Sequence, residues 1–111
     1  MVVVVVVVVV GVIMSENAAI LERVSKVLGV PQKELVRKGL EGLLQSQLRT
    51  CSAEINEIKT KYDVKTRSEL EKKIEKGTVG EHPAWEDLIV LENLEERIKN
   101  IRKELTALKH E

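Results

Sequence analysis

The apolar residues Leu91, Leu94, Ile98, Ile101, Leu105 and Leu108 are spaced 3, 4, 3, 4, 3, with charged and polar residues filling the gaps. That rhythm puts all six on one narrow face of a helix, the a/d pattern of a coiled-coil seam. Pro83 can take the first helical position, where its missing N–H costs nothing. The pattern therefore predicts a long last helix over residues 83–108. Leu48, Cys51, Ile55, Ile58 and Tyr62 repeat the rhythm. Before them Leu35, Val36, Leu40, Leu43, Leu44 and Leu48 give a broader apolar face. A second long helix over about 31–62 is expected, its first half wide enough to receive a neighbour and its second half a mate for the last seam. Run antiparallel, the two seams set Ile98 and Ile101 opposite the level of Cys51 and Ile55.

Shorter elements follow from the punctuation. Residues 15–28 read as a first helix, capped by Ser15 or Asn17, with Ile20, Leu21, Val24, Val27 and Leu28 to one side. Gly29 ends it, and Val30-Pro31 starts the next. Thr66-Arg67-Ser68-Glu69 matches a capping box, opening a short third helix that carries Leu70 and Ile74 and stops at Gly77. Gly39 and Gly42 each weaken the second helix by up to ~1 kcal/mol relative to Ala; close approach of another backbone and simple tolerance are both open readings. Glu57 with Lys61, and Glu95 with Lys99, are i,i+4 pairs in the favourable order. The expected fold is all-α: a helical hairpin of two long antiparallel helices, with short helices at the N-terminus and in the connection, forming one domain over 15–111.

Residues 1–14 stand apart. Nine valines follow Met1, then Gly11, Val12, Ile13 and Met14. Fourteen apolar residues fall short of the ~20 that cross a bilayer, and neither a basic n-region nor a small-residue cleavage site marks a signal peptide. Two readings stay open: an extension from a start assigned too early, with Met14 the natural start, or a β-strand or membrane-adherent tail. No membrane span is expected, and Cys51, the single cysteine, suits a reducing cytoplasm.

Composition narrows function more than it defines it. Lys+Arg and Asp+Glu number 18 each, so the net charge is zero, against the basic excess usual in a nucleic-acid-binding surface. The helix-turn-helix around Leu28-Gly29-Val30, with Lys33, Arg37 and Lys38, is similar to the helical part of ribbon-helix-helix repressors. Valines precede it where those proteins carry polar, base-reading side chains, so no specific nucleic-acid partner is expected. His82 and His110 are the only imidazoles. A Cys51–His82 nucleophile pair is conceivable, but Cys51 lies on the seam, where a small thiol most often serves as core filling; two histidines with one cysteine have no metal-ligand spacing. No catalytic residue, metal ligand or cofactor is assigned. Trp85 remains, at the start of the last helix and just outside its seam. It reads either as a cover over the hairpin end or as an interface anchor.

The stretch LGVPQKELVRKGLEGLL, the Tyr62-Asp63-Val64 break and the segment HPAWEDLIVLENLEERI together resemble a family of small all-helical archaeal proteins, antitoxin components encoded beside a toxin gene. The resemblance covers residues 17–108. It implies a toxin-neutralising protein. The hairpin is then expected to offer an apolar helical face to that partner, with Trp85, Asp87, Leu88 and Leu91 as the partner-binding residues. A structural coiled-coil adaptor or homo-oligomer, and a small DNA-binding regulator, are the alternatives.

Overall fold

The computed structural model describes residues 17–110; the Val-rich residues 1–14, and the strand or tail considered for them, lie outside that range. Four helices follow one another: α1, described over residues 17–28, α2 (Gln32–Lys61), α3 (Arg67–Glu75) and α4 (Glu81–Lys109). No strand occurs among the described residues. The all-α hairpin expected from the apolar rhythm is what the chain forms, with α2 and α4 antiparallel and α3 in their connection. The chain divides into two compact units, Met1–Leu40 and Glu41–Glu111, and α2 runs through the boundary.

Each helix stops where its sequence makes continuation costly. Gly29 adopts φ +65°, a conformation that suits a residue without Cβ, and Val30 N–H donates to the Ser25 carbonyl at 3.1 Å. At the end of α2, Asp63 takes φ +51° and Val64 N–H returns to the Lys59 carbonyl at 2.9 Å. Lys73 Nζ then donates to the freed carbonyls of Tyr62 (2.8 Å) and Asp63 (3.2 Å), so α3 caps the helix before it. The Thr66 hydroxyl accepts from Glu69 N–H at 3.2 Å as the capping box requires. The Glu69 carboxylate reaches one residue further than expected, to Lys65 N–H at 2.7 Å. Gly77, at φ +71°, closes α3. Within α4 His82 is extended (φ −116°, ψ 121°), so regular helix begins at Pro83.

The second unit holds the core. Cys51 and Ile55 from α2, Val64 from the turn, Leu70 and Ile74 from α3, and Ala84, Leu88, Leu91, Leu94, Ile98, Ile101 and Leu105 from α4 are all buried. Leu70 and Leu91 are fully enclosed, and burial of such a side chain is worth about 1.5–3 kcal/mol. Five of the six predicted seam residues are in this core; Leu108 is half-buried. Two features differ from the expectation. The seam starts two turns earlier, at Ala84 and Leu88, and the backbone lying closest against α4 is that of α3, not α2. Short α3 thus fills the space that a simple two-helix seam would leave at that end.

The axial register is also shifted. Lys61 meets Asp87 at 2.9 Å and Gln47 meets Arg97 at 3.2 Å. These contacts set Ile101 near the level of Leu44 and not that of Ile55. They redirect the expected helix pairs as well: Lys61 bridges to Asp87, not to Glu57, and Glu95 lies 3.8 Å from Arg67, not against Lys99. A cross-helix partner held in place by packing wins over a flexible neighbour on the same helix.

The first unit is different. No residue from 17 to 40 is buried; Leu21, Ser25, Val30, Leu35 and Arg37 are half-covered. The broad face assigned to the start of α2 is not closed over: Val36 (44%), Leu40 (48%) and, just past the boundary, Leu43 (61%) stay exposed. Beyond the backbone of its own helix, a Cβ placed on Gly39 or Gly42 would meet no atom of the described residues within 4 Å, so none of their other backbone approaches there.

Candidate functional site

The segment singled out for partner binding, Trp85 to Leu91, begins α4 where it passes the end of α2. Because Ala84, Leu88 and Leu91 continue the seam at spacings of 4 and 3, they must face inward. Leu88 is 2% and Leu91 0% exposed; neither presents a surface in the free chain, and both lie in the core. Asp87 sits at the edge of the seam and is half-buried. Its Oδ2 accepts from Lys61 Nζ and from the Tyr62 hydroxyl, so it fastens the hairpin end. Trp85 alone of the four presents a large surface, being 43% exposed. It stands among the exposed large hydrophobic residues and outside the core cluster.

The polar cluster shifts its members' titration. Hydrogen bonds from Tyr62 and then Lys61 hold the Asp87 carboxyl below its ordinary value, against a smaller opposing effect of burial. Tyr62 is pushed up, chiefly by burial and then by donating to Asp87. The bond to Asp87 also raises Lys61, whose Nζ lies 5.3 Å from the Tyr62 ring centre.

Other chemistry-bearing side chains do not converge. Cys51 is 2% exposed inside the core, whereas His82 is on the surface with Nδ1 3.4 Å from Glu86. Among the described residues no three of His, Cys, Asp and Glu form a group that could hold a metal ion. No described helix is long and apolar enough to cross a membrane.

Two exposed apolar features were not anticipated. In the first unit, Ile20 (49%), Val24 (37%) and Val27 (84%) recur at i, i+4, i+7, with Leu28 (60%) beside them; Val36, Leu40 and Leu43 repeat that spacing along α2. Periodicity marked both stripes as apolar faces but could not say whether this chain covers them. On α4, Ile89 (55%) and Val90 (43%) are exposed outside the seam. The rhythm itself signals this, because neither residue fits the 3, 4 spacing that buries Leu88 and Leu91.

An all-helical chain with a closed core in one unit and uncovered apolar stripes in the other is the class that fold and surface define. The chain belongs to the family described as "Uncharacterized protein MJ0235 family", whose sequence model matches residues 14–111. It is similar to "Uncharacterized protein MJ0235" of the archaeon Methanocaldococcus jannaschii, with 34% identity over 71 residues, 64% of this chain and 87% of that protein. No solved structure matches it.

Proposed function

We propose that this protein works by binding another protein through the apolar stripes of α1 and the start of α2, as an antitoxin covers its toxin. The observation that supports this is the exposure of Ile20, Val24, Val27, Leu28, Val36 and Leu40, in a stretch where no described residue up to Leu40 is buried. Soluble chains rarely leave so much aliphatic surface open without an interaction to cover it. The toxin as partner comes from the archaeal antitoxin resemblance.

Co-expression with the product of the adjacent gene tests the reading. Val24→Asp with Val36→Asp puts carboxylates on exposed stripes, so it should keep the helicity of the free chain and abolish co-purification. Retained co-purification would remove α1 and α2 from the binding surface. Self-association is the second reading, favoured because a second copy offers the same aliphatic stripes and so a self-complementary contact. Sedimentation of the chain alone separates the two: a concentration-dependent dimer that the double variant converts to monomer supports the homo-oligomer.

A further inference from the structure

We infer that the first half of α4 is a second docking strip, fitted to a cationic, amphipathic segment of a partner protein. Trp85, Ile89, Glu92 and Glu96 fall at i, i+4, i+7 and i+11, which places them in line on one face of the helix. All four are exposed, while Leu88, Leu91, Leu94 and Ile98 between them are buried, so the line runs along the outside of the second unit. Two large apolar side chains thus lead directly into two carboxylates.

The charge of this half-helix selects the occupant. From Glu81 to Glu96 it carries Glu81, Glu86, Asp87, Glu92, Glu95 and Glu96 and no Lys or Arg. Asp87 is paired with Lys61, Glu95 with Arg67 and Glu86 with His82. Glu92 and Glu96 have no such partner among the described residues. A carboxylate near a helix N-terminus is favoured by the macrodipole, but that effect fades within the first turn. Glu92 and Glu96 lie more than two turns in, so the dipole does not account for them.

Other occupants fit less well. A parallel second copy would set carboxylate against carboxylate. An antiparallel copy that paired Glu96 with Lys99 and Glu92 with Lys103 would bring Trp85 and Ile89 against His110 and Thr106, which offer no aliphatic cover. Nucleic acids and anionic membranes are repelled. A segment with an aliphatic pair over Trp85 and Ile89, and Lys or Arg one and two turns further on, satisfies both halves of the strip. The apolar pair supplies the anchor and the charges supply steering and discrimination.

Trp85 is the only tryptophan, so its emission reports on the strip directly. The full chain is titrated with two synthetic helical peptides that share the same aliphatic positions, one carrying Lys and the other Glu at the polar positions. The Lys peptide should shift Trp85 emission to the blue saturably, and more weakly as salt rises; the Glu peptide should not. Glu92→Lys with Glu96→Lys should weaken the Lys peptide at least ten-fold, about 1.4 kcal/mol, and admit the Glu peptide. Ile89→Ser should weaken the Lys peptide with helicity retained. Equal binding of both peptides, an unchanged affinity in the charge-reversed chain, or no shift by either peptide at millimolar concentration would each overturn the proposal. The Val24→Asp, Val36→Asp chain should bind the Lys peptide as the parent does, so failure of the α1 and α2 reading is told apart from failure of this one.

Discussion

Asp87 makes the end of the hairpin sensitive to acid. Its carboxyl is held below the ordinary 3.8 by Tyr62 and Lys61, so the folded state binds its proton less readily than the unfolded state. The stability it contributes is complete above the ordinary carboxylate range and is lost as pH falls through the lowered folded value. Tyr62 and Lys61 are raised above 10.0 and 10.5; their contribution is complete below those values and fades as pH rises through the folded ones. Asp87→Asn should therefore cost about 1 kcal/mol on the plateau between these limits. Urea midpoints measured against pH should show the gap to the parent closing on the acid side; a gap that persists at pH 2 would mean that Asp87 acts through shape and not charge. This role was not legible in the sequence, where Asp87 read as a partner-binding residue beside Trp85. Pairing between Lys61, Tyr62 and Asp87 depends on how far α4 slides along α2, and a single sequence does not encode that offset locally. Leu91 was legible as the first residue of the expected seam. Ala84 and Leu88 continue its spacing of 4 and 3 upstream, although the expected seam did not include them.

Helix ends and faces were readable because their causes are local. Gly29, Gly77 and Thr66 act within a few residues of themselves, and the 3, 4 rhythm of α4 is complete in its own sequence. The role of α3 was less so. Leu70 and Ile74 marked one apolar face on a nine-residue helix, with nothing to say that this face would press against α4 more closely than α2 does. A pair of variants separates seam from surface at this scale. Ile98 is 9% exposed, and a carboxylate buried there without a partner costs more than the lost aliphatic contact. Ile98→Asp should abolish the cooperative thermal transition. Trp85→Ala, already half in solvent, should move stability by no more than about 1 kcal/mol. A Trp85→Ala chain that fails to melt cooperatively would make Trp85 part of the core and withdraw it from the docking strip.

Between the two units the same kind of sequence has two outcomes. Aliphatic residues at helical spacing become a core from Cys51 onward, where α2, α3 and α4 enclose them, and remain uncovered at Ile20, Val24, Val36 and Leu40. Periodicity reports that a face is apolar; only the number of helices brought to it decides whether it closes. That is why the hairpin was foreseen and the open stripes were not. A helix of about a dozen residues is marginal in water without tertiary cover, so the first unit of the free chain should open far more readily than the second. Hydrogen exchange followed by mass spectrometry should find amides of α1 exchanging at least a hundred-fold faster than those around Ile55, Leu91 and Ile98, a difference of about 2.7 kcal/mol in opening free energy. A partner that covers the stripes should slow α1 and the start of α2 while leaving the core amides unchanged. If α1 is instead as protected as α4 in a dilute solution shown by sedimentation to be monomeric, the exposed stripes are stable by themselves and need no partner. If its protection rises with protein concentration alone, the cover is a second copy of this chain.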